Sequence, residues 1–314
     1  MHRFLLPMLV PILLFLALLL SACGEPAASN RRLQVVATTA ILGDFARQVA
    51  GSDADVSAII PPGVDLHSFE PAPAVARSVA RANVILVNGY HLEESLLPVV
   101  AQNKPKRATV IVAGTGLKAR ASVEAPDEHD GKPVKGLDPL ATAEGDPHLW
   151  LSVAGARKYV ENIRDGLVAA DAAHAEGYRE RATKYLDTLA ALDAEIKTTV
   201  AKIPAERRQL VVFHDAYGYF AEAYGLTLTA SVLPGGANQQ VSAQKVAALV
   251  EVVKRTGVKA IYREPEFDTT VLDAIGRETG ARVLTLYSIY AGPVTDYPSM
   301  MRANAAALVD GLSR

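Results

Sequence analysis

The chain has 314 residues, of which 50% are hydrophobic, and its formal net charge is −2. This length is enough for two domains of ordinary size, each with its own core. The near balance of acidic and basic residues is unlike the basic surface that nucleic-acid binding requires. The single cysteine excludes an intramolecular disulfide.

The amino terminus has the layout of a secretory signal peptide. Arg3 precedes a short apolar run that ends at Leu20; the alternative, a transmembrane anchor, needs about 20 apolar residues. The following Leu-Ser-Ala-Cys-Gly resembles a bacterial lipobox, and the resemblance implies cleavage before Cys23 and lipid attachment to it. We therefore predict a signal peptide at 1–22, a lipidated tether at 23–32, and an exported periplasmic or cell-surface lipoprotein anchored to a membrane.

The first half of the remaining chain alternates between short apolar runs and segments of helical spacing. The apolar runs predict buried strands at residues 33–38, 56–60, 84–89 and 109–114. The segments between them predict helices at residues 40–50 and 73–82. Such alternation is typical of a mostly parallel sheet that is covered on both faces.

The middle of the chain breaks this pattern. Residues 118–147 are polar and acidic and contain several prolines and glycines, which predicts a mobile loop. A helix at 152–169 follows, and then a proline-free stretch at 172–202 predicts one helix of about 45 Å. Its apolar residues are spaced three and four apart and so lie on one helical face: Tyr185, Leu189, Leu192, Ile196 and Val200.

The alternation restarts after Pro204. Strands are predicted at residues 210–214, 226–230, 259–264 and 282–288, and helices at residues 242–256, 270–279 and 297–312. The fold class is therefore α/β, with two lobes of mostly parallel sheet at 33–170 and 205–314. One long helix at 171–204 joins the lobes. Because ligands of open α/β sheets lie beyond the carboxyl ends of the strands, the cleft between the lobes is the expected site.

Three histidines lie in or beside loops next to this cleft. His67 and His214 follow strands of different lobes, and His148 opens a helix two residues before the only tryptophan, Trp150. Imidazole is the commonest metal-binding side chain and suits zinc. The three positions are far apart in the chain and form no short-range motif, so position alone favours a packed, structural role for each histidine.

A family resemblance favours the metal site. The segments PPGVDLHSFEP (61–71), GDPHLWLS (145–152) and FHDAYGYF (213–220) resemble the three histidine motifs of the zinc and manganese solute-binding lipoproteins of bacterial ABC importers. NGYHLE (88–93) and YREPEF (262–267) resemble two further family segments, so the likeness covers nearly the whole chain after the cysteine.

This resemblance implies two α/β lobes joined by a rigid helix, with His67, His148 and His214 as metal ligands between them. It also implies a monomeric carrier that is not an enzyme and that delivers its ion to an ABC permease and its ATPase. Relatives that resemble manganese binders tend to have glutamate where this chain has His214. Because a carboxylate suits manganese and imidazole favours zinc, we expect Zn²⁺, with Mn²⁺, or iron, as the alternative.

The chain departs from the family at the fourth ligand. The family has an aspartate after the last strand, and here Tyr287 or Ile289 takes its place. The fourth position is then open to water or to a carboxylate from elsewhere, such as Glu264 or Glu266. A shell of three neutral imidazoles would leave the double charge of the metal unbalanced.

Four acidic residues lie within three positions of the proposed ligands, and each is a candidate to accept a hydrogen bond from a ligand ring: Asp65, Glu70, Asp146 and Asp215. The alternative for Glu70 and Asp215 is placement in the first turn of a helix, where negative charge is favoured.

Two other classes of function compete with transport. A zinc hydrolase would use three histidines and a bound water at an open site, although the chain has no HExxH run. A surface adhesin or a metal chaperone for another partner is the third alternative.

Overall fold

The computed structural model describes residues 32–121, 133–233, 242–268 and 270–313. The predicted signal peptide, Cys23 and the tether up to residue 31 lie outside the described residues. Within the described ranges, every helix is too short or too polar to cross a membrane. Leu33–Arg314 forms one compact unit, and this unit contains two parallel sheets, as predicted.

The first sheet has four strands in the order β2-β1-β3-β4. The strands are β1 (Leu33–Thr39), β2 (Ala54–Ile60), β3 (Val84–Val87) and β4 (Thr109–Val112), and all their pairings are parallel. The helices of this lobe are α1 (Ala40–Ala50), α2 (Pro73–Val79) and α3 (Leu96–Asn103). Strand β3 ends earlier than predicted because Gly89, Tyr90 and His91 adopt positive φ angles, which interrupt extended backbone.

The second sheet repeats this arrangement in the order β6-β5-β7-β8. Its strands are β5 (Gln209–His214), β6 (Thr227–Leu233), β7 (Ala260–Arg263) and β8 (Arg282–Thr285), and its helices are α6 (Gly218–Tyr224), α7 (Ala243–Thr256) and α8 (Thr270–Thr279). The short helices α3 and α6 were not predicted, because seven or eight residues give too little periodicity to separate a helix from a loop.

Three longer helices complete the fold: α4 (Val153–Ala170), α5 (Ala175–Val200) and α9 (Tyr297–Leu312). Helix α5 has 26 residues and is about 39 Å long. It begins later than predicted because a 3-10 turn at Ala172–His174 precedes it. The predicted apolar face is confirmed, since its residues are all buried. One apolar cluster includes side chains of both lobes and of this helix, although the exact domain bounds stay predictions.

The described part of the predicted loop at 118–147 is irregular except for one 3-10 helix. A 3-10 helix spans Pro139–Thr142, and Asp138 caps it by accepting a hydrogen bond from the backbone NH of Leu140. Arg120 is also held, because its backbone NH donates to the hydroxyl of Tyr219 at 2.8 Å. The 3-10 helix rests on a local hydrogen bond of a Pro- and Asp-containing turn, which composition alone does not reveal.

Candidate metal centre

The three candidate histidines come from three separate connections. His67 lies in the loop after β2, His148 directly precedes the 3-10 turn Leu149–Leu151, and His214 is the last residue of β5. The first and the last follow the carboxyl ends of strands in different sheets. This is the edge at which α/β sheets bind their ligands.

The fold brings the three imidazoles to one point. One nitrogen of each ring lies within 4.8 Å of the others, and Nε2 of His67 is 3.2 Å from Nε2 of His148. Two nitrogens bound to one tetrahedral zinc at about 2.0–2.1 Å would lie about 3.3 Å apart. The spacing of the pair therefore fits a shared ion without rearrangement of the backbone.

The electrostatic setting favours the metal-binding form of the rings. His148 and His214 are 3% and 2% exposed. Burial, and then the neighbouring rings of the cluster, hold the pKa of His67 and of His148 well below the ordinary 6.5. Because a histidine must be neutral to bind a metal, these two rings need not lose a proton at neutral pH.

The cavity beside the rings is very small. Its volume is about 10 Å³, which matches a single water or ion and nothing larger. It is bordered by the three histidines together with Asp65, Leu66, Trp150, Glu266, Phe267, Ser288 and Ile289. The arrangement can therefore hold one ion, but it has no room for an organic molecule beside it.

Of the four acidic candidates, Asp146 lies in direct contact with a candidate ring, that of His148. Its Oδ1 accepts hydrogen bonds from the backbone NH of His148 at 3.0 Å and contacts the ring Nδ1 at 2.9 Å. Nδ1 is thereby engaged, and Nε2 faces His67. A carboxylate behind a metal-binding imidazole fixes the ring and its tautomer in this way.

The other three acidic candidates are placed differently relative to the histidines. Asp65 Oδ1 accepts from the backbone NH of His67 at 3.1 Å, so it supports the loop rather than the ring. Glu70 is exposed to solvent. Within the described ranges, the side chain of Asp215 makes no hydrogen bond to any of the three rings. The structure therefore does not place Glu70 or Asp215 as partners of the rings.

Two glutamates lie on the C-terminal side of the cluster, Glu264 buried and Glu266 half-buried. Glu264 Oε1 is 3.5 Å from Nδ1 of His214 and accepts a hydrogen bond from the hydroxyl of Tyr217 at 3.3 Å. Glu266 borders the cavity, and its Oε1 accepts from the hydroxyl of Ser288 at 2.6 Å. Burial, followed by the charge of Glu264, raises the pKa of Glu266 to about 8.

Neither residue at the family's aspartate position offers a ligand. Ile289 borders the cavity but is apolar. Tyr287 lines a separate groove of about 350 Å³, next to Arg263 and Pro293, and its backbone NH donates to Asn304. Besides Ile289, the residues that border the cavity on this side are Glu266, Phe267 and Ser288.

Sequence reasoning missed the contacts that join the two lobes around the site. Trp150 Nε1 donates to the carbonyl of Ser288 at 2.8 Å, and the backbone carbonyl of Trp150 accepts from the hydroxyl of Tyr297 at 2.7 Å. Arg120 lies 3.9 Å from Asp146 and forms an ion pair with Glu222 at 2.7 Å. The one available signal was the position of the tryptophan two residues after His148.

Comparisons with known proteins agree with this architecture. The family model described as zinc-uptake complex component A periplasmic matches residues 35–311. The manganese-binding lipoprotein MntA of Halalkalibacterium halodurans is 32% identical over 96% of this chain and 97% of its own length. The iron-binding protein YfeA of Yersinia pestis is 30% identical over 93% of this chain and 90% of its own length.

Solved structures share the fold. The manganese-bound periplasmic metal binding protein from candidatus Liberibacter asiaticus superimposes with a TM-score of 0.75 at 25% identity, and the match covers 90% of this chain and all of that chain. The crystal structure of ZnuA also gives a TM-score of 0.75, at 21% identity, over 89% of this chain and 99% of that chain. The latter likeness bears on the fold alone.

Proposed function

The chain belongs to the family of the periplasmic component A of zinc-uptake complexes, and on that premise we propose that it captures zinc outside the cytoplasmic membrane and delivers it to an ABC permease. The observation that carries the proposal is the convergence of His67, His148 and His214, with one nitrogen of each ring within 4.8 Å of the others. These three rings are the proposed ligands of the transported ion.

The site is better suited to binding and releasing an ion than to catalysis. A zinc hydrolase needs an open coordination position with room for its substrate. Here the cavity of about 10 Å³ is bordered by Trp150, Phe267 and Ile289, which leave space for the ion alone. A site that encloses an ion without admitting a substrate is suited to binding and release.

The donor set supports zinc over manganese. Imidazole suits zinc, whereas manganese is better served by carboxylate, carbonyl and water oxygens. Relatives of this chain are named for manganese and for iron, so a manganese or iron carrier is the alternative. The alternative draws support from the carboxylate of Glu266, which borders the same cavity.

The remaining parts of the proposal concern the partners of the chain. Lipid on Cys23 would anchor the protein beside a permease and its ATPase, so that a monomeric carrier releases its ion where it is needed. Relatives named as substrate-binding lipoproteins of manganese ABC transporters support this assignment. A surface adhesin, in contrast, would not need a buried site for an ion.

Metal competition tests the proposal. The full chain, purified in detergent and stripped of metal, is titrated with zinc and with manganese against chelators of known affinity. We expect one zinc per chain, tighter binding of zinc than of manganese, and a higher melting temperature with zinc, because a ligand of the native state stabilises it. Tighter binding of manganese would refute the choice of metal, and turnover of esters by the zinc-loaded protein would favour a hydrolase.

A further inference from the structure

A zinc ion bound by the three histidines would still need a fourth ligand, and its two positive charges would have no anionic partner. Zinc in a protein site is almost always four-coordinate, and imidazoles bind it in their neutral form. An ion with two charges in a buried cavity is costly unless an anion pairs with it. The missing ligand is therefore expected to be a carboxylate that reaches the cavity.

Two carboxylates border the cavity, those of Asp65 and Glu266. Both oxygens of Asp65 are already used, since Oδ1 accepts from the backbone NH of His67 at 3.1 Å and Oδ2 from the hydroxyl of Ser68 at 2.5 Å. These bonds hold the loop that carries His67. An oxygen of Asp65 that bound the ion would have to be shared with a contact that already positions another ligand.

Glu266 is differently placed. Its Oε1 accepts from Ser288 at 2.6 Å, which leaves the other oxygen for a ligand. Oε2 of Glu266 is fully buried and has no hydrogen-bond partner among the described residues. A buried, unpaired carboxylate oxygen is costly by itself, and a cation in the adjoining cavity would remove that cost.

Glu264 is the competing carboxylate, but it lies beside a ring rather than at the cavity. It does not border the cavity of the three histidines, and it lines the separate groove next to Tyr287. Its Oε1 lies 3.5 Å from Nδ1 of His214. This position suits a group that orients the ring, in the way that Asp146 orients His148.

We propose that Glu266 supplies the fourth, anionic ligand of the transported zinc, an assignment that rests on the proposed function. The carboxylate is not among the atoms within 4.8 Å of one another, so the side chain turns toward the ion when it binds. A glutamate side chain has the torsional freedom for this movement while the backbone after β7 stays in place. Glu266 thus takes the role of the family's aspartate, because neither Tyr287 nor Ile289 offers a ligand.

A zinc-loaded crystal structure of the full chain, with anomalous data at the zinc edge, tests the assignment directly. We expect an oxygen of Glu266 at about 2.0–2.2 Å from the ion, together with nitrogens of all three histidines. A water or a buffer anion in the fourth position, with Glu266 still on Ser288, would overturn the assignment and leave the proposed function intact. Absence of zinc from the cluster would overturn both.

Affinity measurements give a second, independent readout. Glu266→Gln keeps the shape of the side chain and removes its charge, so zinc should bind at least tenfold more weakly than to the unaltered protein. The matched control is Glu278→Gln, which removes an exposed carboxylate paired with Lys254 at 3.0 Å. Equal zinc affinity of the two variants would refute the role of Glu266, whereas weak binding by the unaltered protein would refute the transport proposal itself.

Discussion

Replacement of Asp146 by asparagine isolates the effect of charge behind a ligand ring. Asparagine keeps an oxygen that can accept from both nitrogens of His148, which lie at 3.0 Å and 2.9 Å from Oδ1. The backbone bond is the same with and without metal. The ring bond strengthens when the metal withdraws charge from the imidazole, so it alone contributes to affinity.

The magnitude follows from this one bond. A hydrogen bond to a charged group contributes about 1.5–3 kcal/mol and a neutral one about 0.5–1.5 kcal/mol. The loss of charge therefore costs about 1–1.5 kcal/mol, or roughly a tenfold rise in the zinc dissociation constant. Because burial raises the pKa of Asp146 to about 7, the assay is competition with a chelator for the unaltered protein and the variant at about pH 8, where the carboxylate is charged, and at one ionic strength.

Asp187→Asn is the matched control, because Asp187 is exposed on α5. It should leave zinc affinity unchanged within twofold. If Asp146→Asn also stays within twofold while His148→Ala loses zinc, the orienting role of Asp146 is wrong. If His148→Ala itself binds zinc normally, the ligand set is wrong.

Three further expectations concern the ligand set, the junction of the lobes and a buried acid. His214→Ala should weaken zinc binding by orders of magnitude and His174→Ala should not, because the latter ring is half exposed and pairs with Asp171; equal zinc titrations would contradict the assignment. Trp150→Phe leaves the carbonyl of Ser288 without its 2.8 Å donor, so the free energy of unfolding in urea should fall by about 2–3 kcal/mol; a fall below about 1 kcal/mol would show that this bond is dispensable. Burial raises the pKa of Glu93 from 4.5 to about 7. Between these pH values the folded state holds a proton that the unfolded chain has lost, so the free energy of unfolding falls by about 3 kcal/mol as the pH rises. Glu93→Gln should lack this fall in metal-free urea unfolding at pH 5 and pH 8, and parallel stability curves would contradict it.

The buried setting of Glu93 explains the sign of that last expectation. Its Oε1 accepts hydrogen bonds from the hydroxyl of Thr38 and from the backbone NH of Asn88 at 2.7 Å, while Oε2 has no hydrogen-bond partner in the described part of the chain. Above pH 7 the folded protein must therefore hold an ionised carboxylate in an apolar setting. Glutamine avoids that charge and can keep both hydrogen bonds to Oε1.

The periodic elements could be predicted closely because their signal is local. The apolar face of α5 follows from residues three and four apart, such as Leu189, Leu192 and Ile196, all of which are buried. Strands β1 and β5 likewise follow from short apolar runs. The short helices α3 and α6 and the turn at Pro139–Thr142 could not be predicted, because too few residues repeat there to give a period.

The three histidines were identified through resemblance and not through spacing. No local pattern joins His67 to His148, and their Nε2 atoms meet at 3.2 Å across 81 residues. The same holds for the support of the site: Arg120 beside Asp146 at 3.9 Å and Ser288 on Glu266 at 2.6 Å join segments that are remote in sequence. Glu70 and Asp215, which were chosen for closeness in sequence, are not partners of the rings.

The α/β alternation, the long helix and the types of donor available depend on side-chain period and chemistry, and so they can be predicted from the order of the residues. Which donors meet, how small the cavity is and which carboxylate borders it depend on how the lobes pack. The physical reason is that hydrophobic burial brings whole strands and helices together, and the loops at their ends are then placed by packing rather than by their own residues. The position of Glu266 beside Ser288, and of Tyr287 away from the cavity, could therefore not be deduced from either segment alone.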